Sequence, residues 1–165
     1  MEVHYYLNKF QKAIDGLDKQ PFVSNQLELK AGVWLDSVAL KIQKPDWLNK
    51  TPDAKPFGES FFFSVWINDQ TIKQGNIYYN IHAIKTRELK DYHIKSREFA
   101  DAFNKRFEPF KSDWPNLYKP LAPHTLMEGW ITLNADTLEN EIALLSRRFS
   151  AIAFIIDELL AERKK

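Results

Sequence analysis

Residues 61–86 constrain the fold of this chain most, because they contain two runs of alternating apolar side chains. Successive side chains of a strand point to opposite faces, so each run predicts a β-strand with one apolar face. The segment between the runs, DQTIKQG, is mostly polar and ends at Gly75, as expected of a connection between paired strands. The stretch therefore predicts an antiparallel pair whose core face carries Phe61, Phe63, Val65, Ile67, Ile77, Tyr79, Ile81 and Ala83.

Three other segments have apolar residues at helical spacing. The first covers residues 2–19 and is expected to end before Pro21. The second runs from Ser96 to about residue 110, and the third covers residues 136–163. All three are predicted to pack on the sheet, the second through a stripe of four aromatic rings: Phe99, Phe103, Phe107 and Phe110.

Residues 27–44 alternate in two opposite phases that change near Asp36. The change predicts either a bulge, which would re-aim Asp36, or a turn that leaves Asp36 in water.

Residues 126–133 add a further strand. The predicted fold is α+β, one domain over residues 1–165. It has an antiparallel sheet of four to five strands and three helices, in the order α-β-β-β-α-β-α with room for one extra strand.

The composition excludes several classes of protein. The chain has no cysteine, which excludes disulfides, thiolate metal sites and thiol nucleophiles. A net charge of +1 and only 5 glycines argue against bulk attraction to nucleic acid or membrane and against phosphate-binding loops. The first residues lack the apolar core of a signal peptide, and the longest apolar run is too short to cross a bilayer. We therefore expect a cytoplasmic protein without a cofactor.

The second face of the central strand pair mixes aromatic and polar side chains, which indicates a half-open surface. His82 lies on this face, and we interpret it as a hydrogen-bonded structural histidine. None of the four histidines has a second histidine three or four residues away, so the sequence predicts no metal site. The face carries Phe62, Ser64, Trp66, Tyr78, Asn80, His82 and Ile84.

Two proline-rich loops, 43–59 and 111–125, each contain an Asp-Trp pair. Rigid loops that present Trp and Tyr lose little entropy on binding, so the loops favour a non-enzymatic binding module for an unknown protein or small molecule. The alternative is that both tryptophans tuck under their loops as core. Charges of both signs alternate along residues 85–111, which argues against nucleic acid. The predicted binding residues are Trp47, Trp66, Tyr78, Asn80, His82, Trp114 and Tyr118.

The order of elements resembles the α-β-β-β-α-β core of restriction-endonuclease-like nucleases, and it is also similar to that of antiparallel α+β domains of the YjbR family. The first resemblance implies a divergent or inactive nuclease as the alternative function. Such enzymes place acids and a lysine on the second and third core strands to hold magnesium. In this sequence the candidates are Asp36, Lys41 and Lys85, and the acid expected two residues before Lys85 is missing.

The last predicted helix has a broad apolar stripe from Leu138 to Leu159. One sheet face cannot easily cover such a stripe along the whole helix. We therefore expect the end of the helix to be exposed in a single subunit, which suggests a homodimer formed through this helix. The residues expected at that surface are Ile155, Ile156, Leu159 and Leu160.

Overall fold

A computed structural model describes residues 1–165 and shows one antiparallel sheet with helices packed on it, an α+β fold as predicted. The five strands follow one another across the sheet in chain order, and each pairs with the next. The elements are α1 (Val3–Asp15), α2 (Gln20–Ser24), β1 (Glu28–Trp34), β2 (Ser37–Gln43), β3 (Ser60–Ile67), α3 (Asp69–Gln74), β4 (Asn76–Ile84), α4 (Ser96–Phe107), β5 (Thr125–Thr132), α5 (Leu138–Ile152) and α6 (Phe154–Ala161).

The central strand pair is β3 and β4, and the residues predicted for the core face lie on one side of it. Phe63 pairs with Ile81, and Val65 pairs with Tyr79. The predicted core residues of both strands are buried and join one apolar cluster with residues of α1, α4, α5 and α6. The helices therefore lie on the face of the sheet that the sequence marks as apolar.

The connections differ from the sequence expectations at two points. The helix expected over residues 2–19 ends at Asp15, before Gly16, a poor helix former. Pro21 then lies in the first turn of α2, where its missing N–H costs no hydrogen bond. The connection between β3 and β4 contains the short helix α3, which Asn68 caps through its side chain. Gly75 ends this helix at a φ of 74°, where glycine is favoured.

The phase change near Asp36 is a turn between two strands. β1 and β2 pair directly, with Trp34 opposite Ser37, and Leu35 and Asp36 form the tip. Asp36 is exposed, so the surface-turn interpretation is confirmed. No bulge aims its carboxylate at the rest of the sheet.

The tryptophans of the two proline-rich loops are buried. Trp47 is 1% exposed, and its Nε1 donates to Oδ1 of Asp157 on α6 at 2.8 Å. Trp114 is 4% exposed, with its ring 5.2 Å from that of Tyr79. The expectation that these two side chains offer a contact surface is therefore wrong, because each fills a gap at the edge of the core.

The C-terminal helix is divided in two at Ala153, between α5 and α6. The break lets α5 pack on α1 while α6 packs on α4. As a result Ile155, Ile156, Leu159 and Leu160 are at most 3% exposed within the single chain. These four side chains therefore offer no exposed apolar surface for the predicted homodimer contact. None of the helices combines the length and apolarity needed to span a bilayer.

Candidate functional site

The sheet face opposite the core cluster, which we call the open face, brings polar and aromatic side chains together. Because side chains alternate along a strand, every second residue of each strand points to this face. The loop residues Phe57, Tyr118 and His124 lie at its margin. Its strand residues include Lys30, Trp34, Lys41, Phe62, Ser64, Trp66, Tyr78, Asn80, His82, Glu128 and Trp130.

A polar row crosses the open face, perpendicular to the strands. Lys41 on β2 pairs with Ser64 on β3, which pairs with Asn80 on β4. Asn80 in turn pairs with Glu128 on β5, and Glu128 bridges to Tyr118 in the loop before β5. Directly opposite residues have Cβ atoms about 4.5–5.5 Å apart, so neighbouring members of the row can interact.

An aromatic row runs beside the polar row. Trp66 pairs with Tyr78, and Tyr78 pairs with Trp130. The rings of Trp66 and Tyr78 stack with their centroids 5.4 Å apart. All three side chains are partly exposed, so the row presents flat apolar surface beside polar groups.

Lys41 is held in a fixed position in the polar row, between Ser64 of β3 and Lys30 of β1. Its Nζ donates to the backbone oxygen of Phe57 at 2.9 Å and lies 4.3 Å from the Trp34 ring and 4.8 Å from the Phe62 ring. Burial beneath these groups lowers the pKa of Lys41 to about 8. Its amine is therefore far easier to deprotonate than that of a solvent-exposed lysine.

His82 lies next to Lys41 on the same face. Its ring stacks on that of Phe62 with centroids 4.6 Å apart. Burial, together with the nearby charges of Lys41 and His124, lowers the pKa of His82 to about 4. The imidazole is therefore neutral at pH 7. Stacking on Phe62 holds the ring, and the hydrogen bond predicted for this histidine is not formed within the chain.

Glu128 and Tyr118 form one end of the polar row. Burial raises the pKa of the Glu128 carboxyl group, while His124 and a hydrogen bond from Asn80 act in the opposite direction. Burial also raises the pKa of the Tyr118 phenol, and the neighbouring Glu128 and Tyr78 raise it further. Shifted pKa values cluster where burial and charge are arranged around a site, so this end of the row is a candidate for ligand contact.

Asn80 contributes a buried side-chain acceptor without a partner. Its side chain is buried, and its Oδ1 has no hydrogen-bond partner in the chain. A buried acceptor without a partner costs about 1–3 kcal/mol. The open face therefore has an unused acceptor at its centre, next to Ser64 and Glu128.

The loop 43–59 closes one margin of the open face. The Gln43 amide donates to the backbone oxygens of Glu59 and Phe61, and its Oε1 accepts from the Phe57 N–H. Phe57 adopts a φ of 61°, which is uncommon for a residue with a side chain. These bonds fix the carbonyl group that receives Lys41.

The structure brings together most of the predicted binding residues. Trp66, Tyr78, Asn80, His82 and Tyr118 all lie on or beside the open face. Trp47 and Trp114 do not, because they belong to the core.

The three nuclease candidates do not converge. Asp36 lies in the β1–β2 turn, at the end of the sheet where Val38 pairs with Ile67. Lys85 follows β4 at the opposite end and pairs with Glu59, its Nζ 3.6 Å from Oε1. Only Lys41 lies at the centre, so these side chains cannot hold one magnesium ion together. No group of three or more His, Cys, Asp or Glu side chains is placed to hold a metal ion.

Trp34, Glu128 and Trp130 are residues of the open face that were not predicted from the sequence. Glu128 and Trp130 alternate with the buried Met127, Gly129 and Ile131, and Trp34 lies out of phase with the apolar residues of its strand, so alternation in both strands contained the signal. The missing information was the pairing of β5 with β4, which places Glu128 beside Asn80.

No protein-family model, curated protein or solved structure matches the chain. Neither resemblance by element order is therefore supported by a match.

The depressed pKa of His82 predicts a loss of stability in mild acid. The unfolded chain takes up a proton near pH 6.5, while the folded chain does so only near pH 4, so acid favours unfolding between these values. Stability should fall by about 2 kcal/mol from pH 6.5 to pH 5 on account of this residue. Urea unfolding of the wild type and of His82→Phe, which keeps a stacking ring without a titrating group, measures the difference.

The matched control is His93→Gln, because His93 is exposed and lies away from the open face. This variant retains His82 and should keep the wild-type pH dependence. Equal pH dependence in the wild type and His82→Phe would show that His82 is not held neutral by burial.

Proposed function

We propose that this protein is a non-enzymatic binding module that takes a small, neutral, polyhydroxylated ligand, a saccharide, on the open face. The observation that carries the proposal is the unpaired Asn80 Oδ1 in the centre of the polar row. The Asn80 Oδ1 is out of contact with solvent in the free chain, so a small rotation of this side chain would expose it to a ligand hydroxyl group, which would supply the hydrogen bond that the chain leaves unmade. The cost of that unpaired acceptor would then be recovered on binding.

The other groups of the polar row support a ligand with both donors and acceptors. Lys41 donates, Glu128 accepts when ionised, and the Tyr118 hydroxyl group does both. A sugar hydroxyl group also donates and accepts. Counting Lys30 of β1, which lies opposite Lys41, the row contains two cations and one acid, a mixture that suits a neutral ligand better than a polyphosphate or a strongly charged peptide.

The aromatic row supports a ligand with a flat apolar side. Trp66, Tyr78 and Trp130 would pack against the C–H face of a sugar ring, while the polar row beside them fixes its orientation. The proline-rich loops take part through Phe57, Tyr118 and His124, which lie at the margin, and not through their tryptophans.

The absence of a second carboxyl group supports binding without hydrolysis. Glycoside hydrolysis uses a pair of carboxyl groups that flank the scissile bond. Glu128 is the only carboxyl group in the two rows. A bound saccharide should therefore be recovered unchanged, as chromatography after incubation would show.

The direct test is a tryptophan-fluorescence titration with neutral oligosaccharides such as maltose, cellobiose and chitobiose. At least one should give a saturable change, because Trp66 and Trp130 lie in the aromatic row. Tyr118→Ala and Asn80→Ala should each lower its affinity by about tenfold, since a lost aromatic contact or hydrogen bond is worth about 1.4 kcal/mol.

The matched control is Tyr5→Ala. Tyr5 on α1 and Tyr118 are 44% and 45% exposed, but Tyr5 lies outside the open face. This variant should keep the wild-type affinity. No saturable change with any of the saccharides up to about 10 mM, well above the affinity of a weak specific site, would overturn the proposal.

A further inference from the structure

A second concave site lies on the other side of the β5 edge, between α4 and the segment 117–123. It is a cavity of about 580 Å³, which we call the α4 groove. Its volume is within the range of about 300–1,000 Å³ that is typical of small-molecule sites. The groove shares Tyr118 with the polar row, but it includes none of the strand residues of the open face.

The groove has an apolar interior. Ala100 and Phe107 of α4 and Met127 of β5 form part of its lining and are nearly buried. Leu117 and Leu121 line it from the loop, and Leu121 is fully exposed to solvent. A ligand with an apolar body would remove this surface from water.

The charges around the groove are mostly positive. Arg97, Lys111 and Lys119 line it together with one acid, Asp101. A smaller cavity of about 400 Å³ adjoins it at Arg97 and Pro123. The charged residues of that smaller cavity are Arg87, Lys95 and Arg97, and none is acidic.

Three of these cations have no partner in the chain. Arg87, Arg97 and Lys119 form no salt bridge, whereas Lys95 and Lys111 pair with acids one helical turn away: Glu98 and Glu108. Unpaired cations beside an apolar groove attract an anionic group without first breaking an internal pair. Arg97 lies where the groove meets the smaller cavity.

We propose that the α4 groove binds an amphiphilic organic anion, a small molecule with an apolar body and one acid group. The body lies along Ala100, Leu117 and Met127, and the acid group lies at Arg97. The guanidinium group of arginine suits carboxylate and sulfonate groups because its parallel N–H donors match their geometry. The site goes beyond the proposed saccharide function and does not depend on it.

The test uses anilinonaphthalene sulfonate, a fluorescent probe with an apolar body and one sulfonate group, on the full chain. The probe should bind in a saturable way with one site per chain, and added salt should weaken the binding. Octanoate should displace it. Octylamine has the same chain length and the opposite charge, and it should displace the probe much less.

Two variants locate the probe. Arg97→Gln should weaken binding about threefold to fivefold, the effect of losing one exposed charge contact. Leu121→Asp should weaken it by a similar factor, because it places a carboxylate beside the sulfonate or the apolar body. Both residues are exposed, so melting temperatures should stay near the wild-type value.

Each variant has a matched control. Arg147 on α5 is an exposed arginine without a salt bridge, and Leu35 in the β1–β2 turn is 101% exposed against 102% for Leu121. Arg147→Gln, Leu35→Asp and Asn80→Ala should all keep the wild-type affinity for the probe. Equal displacement by octylamine and octanoate, equal loss in the variants and their controls, or loss of binding in Asn80→Ala would overturn the proposal.

Discussion

Replacing Phe103 with alanine should lower the free energy of unfolding by about 3–5 kcal/mol. Phe103 is fully buried in the core cluster, and its ring stacks on that of Phe107 with centroids 5.5 Å apart. The shorter side chain loses apolar burial and leaves a cavity that the surrounding helices and sheet fill only in part. Urea unfolding followed by circular dichroism measures the change, provided that the slope of the transition stays constant.

Phe154 on α6 provides the matched control. It is 43% exposed, and its ring makes only an edge contact with Phe110 at 5.9 Å. Phe154→Ala should therefore cost less than about 1 kcal/mol. A cost below about 1 kcal/mol for Phe103→Ala as well would contradict the burial of the aromatic stripe of α4.

The position of Phe103 was predictable because local periodicity decides it. Helical spacing along α4 places Phe99, Phe103 and Phe107 on one side, and alternation along β3 and β4 marks the face they must cover. These patterns depend on residues a few positions apart. The fold class and the core face of the central strands followed from them.

The burial of Trp47 could not be predicted in the same way. Trp47 and Asp157 lie 110 positions apart in the chain, and their hydrogen bond satisfies the indole N–H inside the structure. A proline-rich loop with a tryptophan looks the same in sequence whether the ring faces water or the core. The answer depends on where α6 packs, and the break at Ala153 that directs α6 toward α4 has no proline or glycine to mark it.

The candidate site was predictable in part for a similar reason. Alternation showed that Trp66, Tyr78, Asn80 and His82 share a face, because β3 and β4 are consecutive and the pairing is simple. Glu128 joins them only through the register of β5, which includes an irregularity at Ile81 and His82. Lys41 was assigned to a nuclease site by element order. Of its actual neighbours, Phe57 depends on the structure of the loop 43–59 and Trp34 on the pairing of β1 with β2.

Gly129 marks a contact that no sequence pattern indicates, and Gly129→Ala should lower the free energy of unfolding by about 3 kcal/mol or more. Tyr79 lies opposite Gly129 in the sheet. Its ring lies over the glycine, and its hydroxyl group donates a hydrogen bond to the backbone oxygen of Pro115. A Cβ at position 129 would lie 2.2 Å from the Tyr79 oxygen. The ring must move, which adds the strain of an overpacked core, about 1–3 kcal/mol, to the loss of a buried hydrogen bond.

A double-mutant cycle tests whether Tyr79 is the cause. Tyr79→Leu removes the phenol that meets the new methyl group, so the two changes together should cost at least about 1 kcal/mol less than the sum of the single changes. Gly58→Ala is the control, because a Cβ there meets nothing closer than 3.7 Å and should change stability by less than about 0.5 kcal/mol. Additive costs in the cycle would mean that the methyl group at position 129 is accommodated without displacing the Tyr79 ring, and that the glycine is not required for the tyrosine to reach Pro115.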